Sequence, residues 1–244
     1  MKTSTKYLLA AALVLLASLT AYNMALRTEY RKGNYKDPLR DFTTLNFKNF
    51  EEVAVPAATT VSVKIVAGPF SVRLNPHVAE VVHVRQQGRR LVITADFPER
   101  QRFLGFNNQV VISCPHLAAL STDAVYVEAG QLRTNKHETA GHIVQVQGFR
   151  QDSLRLQQDH ASRIELSDNE LKFLQAVAGT SAGSHSYLQL NADNHIAAAS
   201  VTLGHQSELT MNNVAIPLLH RQFADSVKVT LWGAALGGLA KESR

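Results

Sequence analysis

The chain has 244 residues, enough for one large domain or two small ones, and its 45% apolar and 18% charged composition excludes a disordered or fibrous protein. Its net charge of +5 resides in residues 1–50, where eight basic side chains (Lys2, Lys6, Arg27, Arg31, Lys32, Lys36, Arg40, Lys48) face three acidic ones (Glu29, Asp37, Asp41). Residues 51–244 carry 17 of each sign. So neutral a body lacks the cationic surface that displaces counterions from a phosphate backbone, and no nucleic-acid partner is expected.

The first element is an uncharged run of twenty residues, Tyr7 to Leu26, rich in Leu and Ala. As a helix it is about 30 Å long, the thickness of a bilayer's hydrocarbon core. Lys2 and Lys6 precede it, as in a secretory signal or signal anchor. Residues 1–26 therefore read as a transmembrane signal anchor. Cleavage after Ala21 is the alternative, disfavoured because Leu19 stands where a small residue is preferred. No Cys follows the run to accept lipid, and Cys114, the single cysteine, allows neither an intrachain disulfide nor a Cys-based zinc site. Residues 27–50, with Gly33, Asn34 and Pro38, read as a juxtamembrane linker.

Orientation pulls two ways. Five basic residues soon after the span argue by the positive-inside count for a cytoplasmic body. A short basic head before an apolar core is the form of an export signal, and large domains translocate with little regard to flanking charge. The expectation is a cell-envelope protein anchored in the inner membrane, with residues 51–244 on the periplasmic side.

Beyond Glu52 the apolar residues alternate with polar ones, the period of half-buried strands. Val61, Val63 and Ile65 form one set and Phe70, Val72 and Leu74 the next. Val82 and Val84 lead through Gln86-Gln87-Gly88 to Leu91 and Ile93 as a hairpin, and Val110 and Ile112 follow Asn107-Asn108. Residues 169–178 fit a short helix or a strand, since Leu171, Leu174 and Val177 are spaced by three.

In the second half a motif recurs: Ser162, Ile164, Leu166; Ser186, Leu188, Leu190; Ser207, Leu209, Met211. At a constant offset of 45, His160 maps to His205, Leu171 to Ile216 and Leu174 to Leu219. Such periods point to a solenoid. Strands stacked about 4.8 Å apart would align the apolar residues into one core, and Asn191 and Asn212 would hydrogen-bond along the stack. The expected fold is all-β, a right-handed parallel β-solenoid over residues 51–244 preceded by one transmembrane helix. Coils of roughly 22 residues would give about nine, a rod on the order of 40 Å long. A β-sandwich or jelly roll is the alternative.

The stretch from Val82 through Leu91 and Ile93, followed by Val110, Ile112, Pro115, Leu117 and Leu120, resembles the entry region of the bacterial head-GIN, autotransporter-adhesin-like domain family. There a hairpin precedes an I-x-x-P-x-L-x-x-L rung and short solenoid coils. The family's Gly-Ser-Gly corners are replaced here by Ser121, Thr122, Asp123 and Ala124 and by Ala161-Ser162. The resemblance covers about residues 45–232 and implies an envelope location, an adhesive or structural role and no catalytic site.

Chemistry-bearing motifs are sparse. His137 and His142 are five apart, His160, His185, His195 and His205 follow the recurring pattern, and no H-x-x-x-H pair occurs, so solvated or turn histidines are expected and no metal or cofactor. His160 and His205 would lie roughly 9–10 Å apart. Residues 179–183 have the wrong spacing for a nucleophile elbow and read as a loose corner, and Cys114 reads as a buried thiol. Asp159, Glu165, Asp168 and Glu170, mixed with Arg155 and Arg163, read as a solvated face. No catalytic residue is assigned. The expectation is an adhesin-like interaction or structural module, meeting the membrane through its helix and a protein or polysaccharide partner on its surface. The alternatives are a tethered, lipid- or ligand-carrying jelly roll and, behind it, a carbohydrate-active enzyme. At residues 225–244 a last strand and a Gly/Ala-rich tail are expected to cover the open end of the stack.

Overall fold

The computed structural model describes residues 3–33, 38–100, 103–105, 107–136 and 141–238. The chain divides into two units, residues 1–42 and 43–244. In the first, helix α1 spans Thr3–Lys32, and its residues 3–31 are long and apolar enough to cross a membrane. Its hydroxyls turn back on the helix: Ser18 Oγ donates to the Leu15 carbonyl (3.0 Å), Thr20 Oγ1 to Leu16 (2.7 Å) and Thr28 Oγ1 to Met24 (2.9 Å). Groups satisfied in this way cost little in hydrocarbon.

The linker is shorter than the sequence suggests. No Pro or Gly interrupts residues 27–32, so the helix continues to Lys32. It stops at Gly33, whose left-handed φ of 70° and hydrogen bond to the Tyr30 carbonyl (3.2 Å) make a helix C-cap. At the other end β1 begins at Thr43 and Phe50 is fully buried, edge-on to Phe70 at 5.2 Å. Residues 43–50 thus belong to the β unit because their apolar side chains are part of its core.

The strands are β1 Thr43–Leu45, β2 Glu52–Val55, β3 Val63–Ala67, β4 Ser71–Leu74, β5 Val82–Gln87, β6 Arg90–Phe97 and β7 Val110–Cys114. Next come β8 Ala119–Thr122, β9 Val125–Glu128, β10 Gln131–Thr134, β11 Val144–Gln147, β12 Arg150–Gln158 and β13 Arg163–Ser167. The last are β14 Glu170–Ala178, β15 Tyr187–Leu190, β16 His195–Leu203, β17 Glu208–Asn212, β18 Leu218–Phe223 and β19 Lys228–Trp232. They form two mixed sheets. Sheet A runs β1-β4-β7-β3-β11-β13-β15-β17-β19, and sheet B runs β10-β9-β6-β2-β8-β12-β14-β16-β18, with β5 paired to β6.

One apolar cluster draws on both sheets, so they are two layers over a common core. Residues 43–238 are thus mostly β in two layers, the arrangement of the sandwich alternative, and not a closed coil. The expectation of uniformly parallel pairing over residues 51–244 fails in the N-terminal part. There β5–β6 and β9–β10 are antiparallel hairpins, because tight turns at Gly88 (φ 61°) and Gly130 (φ 73°) return the chain directly beside itself, and β1–β4 and β4–β7 are antiparallel pairs of strands distant in sequence.

From β11 onward successive strands alternate between sheets and pair in parallel. Val144, Ile164, Leu188, Leu209 and Val229 lie side by side, as do Val146, Leu166, Leu190, Met211 and Leu231. The serines before these strands, Ser162, Ser186 and Ser207, are buried at the corners. Positions 45 apart share backbone as well as residue type: His160 and His205 have φ of 49° and 48°, Asp168 and Asn213 both 52°.

Residues 169–178 are strand, not helix, and the spacing by three has a specific cause. The β12–β14 ladder passes from Gln151↔Leu171 to Ser153↔Phe173, and β14–β16 from Leu171↔Ile196 to Phe173↔Ala198. Asp152, Lys172 and Ala197 are left out of the pairing while the register is kept on either side, an in-phase bulge shared by three strands and not an extra residue of one against another. Each bulge puts two successive residues outward, so the buried neighbours Leu171 and Leu174 fall three apart.

Candidate functional site

Alternation in β13, β15, β17 and β19 sends every second side chain to the outer face of sheet A, and stacking brings like positions together. Arg163 Nη2 donates to Gln189 Oε1 (3.1 Å), Gln189 Nε2 to Asn191 Oδ1 (2.8 Å) and Asn191 Nδ2 to Glu165 Oε1 (2.6 Å). Asn212 Nδ2 reaches Asn191 Oδ1 at 3.4 Å, and the Tyr187 hydroxyl donates to Thr210 Oγ1 at 3.0 Å. The Arg163 guanidinium lies 4.2 Å from the centre of the Tyr187 ring, and Lys228 pairs with Glu208 at 2.9 Å. Asn191 and Asn212 therefore do bond to their neighbours along the sheet.

The ladder ends at Trp232, which is 63% exposed. A shallow groove of about 660 Å³ runs from Tyr187 past Thr210, Asn212 and Thr230 to Trp232. The face thus offers fixed amides and hydroxyls that both donate and accept, beside an open indole. That combination suits a sugar, whose hydroxyls do both and whose C–H face carries the positive edge an aromatic face attracts.

The other singled-out residues are dispersed. His160 Nδ1 is 2.5 Å from Asp123 Oδ1 and half-buried, whereas His142 is buried, not solvated, with Nδ1 3.1 Å from Ser62 Oγ. His137 lies outside the described residues, among which no three His, Cys, Asp or Glu side chains gather as metal ligands. Asp168 and Glu170 both pair with Arg150, at 3.1 and 3.4 Å, while Arg155 Nε donates to Gln175. Cys114 is buried, and burial pushes its thiol up to about 12 against a smaller lowering from the His116 backbone.

The corner at 179–183 is pinned, not loose. Thr180 Oγ1 and Ser181 Oγ donate to Asp159 Oδ2 at 2.7 and 2.6 Å, and the His160 and Ser181 amides donate to Oδ1 at 2.9 and 3.2 Å. Burial works to raise the Asp159 pKa, but these bonds outweigh it and hold the carboxyl well below the usual carboxylate range. Gly179 has φ of 70°, and a Cβ there would collide with the Gly204 carbonyl.

Two structural features escape the apolar pattern. One is the repeated bulge. The other is a buried amide pair: Asn169 Nδ2 donates to Asn194 Oδ1 (2.9 Å) and to the Val146 carbonyl (3.1 Å), and Asn194 Nδ2 donates to the Leu166 carbonyl (2.7 Å). Their signal in the sequence is an Asn shortly after each of two strands, Leu166…Asn169 and Leu190…Asn194.

No family model matches the chain, and no curated protein does, so the head-GIN resemblance rests on its quoted residues alone. Among solved structures it is similar to a "putative adhesin" from Bacteroides fragilis NCTC 9343, at 10% identity and a TM-score of 0.46 over 79% of this chain and 95% of that one. A "putative lipid binding protein" from Parabacteroides distasonis ATCC 8503 matches at 12% identity and 0.34, over 79% and 93%. A "putative adhesin" from Parabacteroides merdae ATCC 43184 matches at 8% and 0.27, over 79% and 92%.

Proposed function

We propose that this chain is a membrane-tethered module of the cell envelope that holds a polysaccharide on the outer face of sheet A, without catalysing a reaction on it. The tether is α1, and the β unit stands on the periplasmic side. In this reading β11–β19 wind as coils of an open β-solenoid, supported by the parallel pairing of alternate strands and by the matched backbone at positions 45 apart. The observation that carries the function is the Arg163–Gln189–Asn191–Glu165 hydrogen-bond ladder flanked by exposed Trp232. Preordered polar groups lose little side-chain entropy on binding, and an exposed indole supplies apolar contact where the ladder does not. Among the described residues the Ser62–His142 pair is out of a polymer's reach, at 3% and 4% exposure.

Trp232 is the only tryptophan in the sequence, so its fluorescence reports directly on the face. Titrating the full chain in detergent with envelope polysaccharide fractions is expected to give a saturable change in that emission. Asn191→Ala is expected to weaken binding about tenfold, roughly the value of one or two polar contacts. Absence of an emission change and of retention by every fraction would reject the reading.

A further inference from the structure

The repeated bulge shapes a second surface, on the outer face of sheet B. Because two successive residues per strand point outward, β12, β14 and β16 carry a trough that crosses them, and Pro217, 45 residues after Lys172, extends it to β18. Its character changes along the stack. The first strand contributes Arg150, Asp152 and Ser153, and the next Glu170, Lys172 and Phe173. The third contributes His195, Ala197 and Ala198, and Ala215 and Pro217 lead into Leu218 at the start of the last. Two adjoining cavities lie along it, about 560 Å³ at the charged end and about 880 Å³ at the apolar end, with Ala215 and Pro217 lining both; the larger one also reaches Ala199 and Ile216, and Ala234 and Gly237 in the 3₁₀ segment Gly233–Gly238.

At the charged end both signs stand side by side in exposed ion pairs. Lys172 Nζ is 2.7 Å from Asp152 Oδ1, and Arg150 pairs with Asp168 and Glu170. At the apolar end Phe173 and Leu218 are 41% and 71% exposed, in one column with Ala198 between them. Between the layers, side chains such as Leu154, Ile164 and Leu190 are packed at 0–1% exposure. An open apolar column ending in paired opposite charges is wasted on water and matches an amphiphile.

We propose that this trough binds a single zwitterionic phospholipid. Its phosphate faces Lys172 and Arg150, its ammonium faces Asp152 and Glu170, and its acyl chain runs over Ala198 and Pro217 toward Leu218. Three strand spacings separate the two ends, about 14 Å, enough to hold a headgroup and the first part of a chain. Two signs within one trough favour a zwitterion over an anionic lipid, whose charge would meet Asp152 and Glu170 unpaired.

The test uses the full chain kept soluble in an amphipathic polymer and a photoactivatable lyso-phosphatidylethanolamine, with crosslinks mapped by peptide mass spectrometry. Labelling is expected within residues 195–200 and 215–219, and competition by unlabelled lyso-phosphatidylethanolamine is expected to exceed that by an anionic lyso-lipid at least tenfold. Ala198→Phe, which fills the trough, and Leu218→Asp, at an exposed edge position that tolerates the change, are each expected to cut labelling at least tenfold. Both should leave retention by the polysaccharide fractions intact, which separates this site from the sheet A face. Labelling confined to residues 3–32, or unchanged in both variants, would overturn the proposal, as would equal competition by the anionic lipid.

Discussion

At the scale of single residues, polar groups at the corners bear more weight than their exposure suggests. Asp159 accepts four hydrogen bonds from residues on two turns, so it ties one corner to the next. Its native pKa lies below the ordinary carboxylate value of about 3.9, so its stabilisation is fully present above that value and fades as pH falls through the native one. Asp159→Asn is expected to cost about 1 kcal/mol near neutral pH, the low end for charge-assisted bonds because the site is partly exposed. Urea unfolding at about pH 7 and about pH 2 should show the gap between variant and parent closing at the lower pH. A gap of the same size at both would remove the carboxylate from the account.

At the scale of elements, the last strand and the turn after it close one end of both layers. The 3₁₀ segment Gly233–Gly238 tucks Ala235 into the core at 4% exposure, and the Ala234 amide donates to Asn213 Oδ1 at 2.9 Å. Removing residues 225–244 strips β19 from β17, leaving that strand's ladder groups unpaired and Leu209 and Met211 open at the end. Edges of this kind recruit other chains. The truncated protein is therefore expected to sediment as higher oligomers in analytical ultracentrifugation, and a monomer with unchanged circular dichroism would show that the end needs no cover. The same scale explains the one ambiguous stretch of the sequence. Leu171 and Leu174 are three apart, as on a helix face, because the bulge at Lys172 shifts the parity of the strand, and local spacing cannot tell those two causes apart.

At the scale of the whole molecule, charge and apolar content are segregated: a basic, apolar N-terminal unit and a β unit with 18 basic against 17 acidic side chains. That segregation underlies the proposal of a tethered envelope module, and the side of the membrane is its most direct test. A phosphatase reporter active only outside the cytoplasm, fused to the C-terminus, is expected to be active, because a large domain follows an export-type signal whatever its flanking charge. An inactive fusion would place the β unit in the cytoplasm and give the basic residues after the span the deciding vote. The sequence by itself determined the apolar helix, the β content and the inward sets such as Val63 with Ile65 and Leu188 with Leu190, because burial imprints a short-range period on the chain. Only the tertiary structure decided that the strands form two mixed layers, that α1 runs on to Lys32, that Asn169 meets Asn194, and that sheet A carries a polar ladder while sheet B carries a trough. These depend on which strand lies beside which, a matter of contacts such as Gln151 with Leu171, 20 positions apart, and Val63 with Val144, 81 apart, on which no local pattern reports.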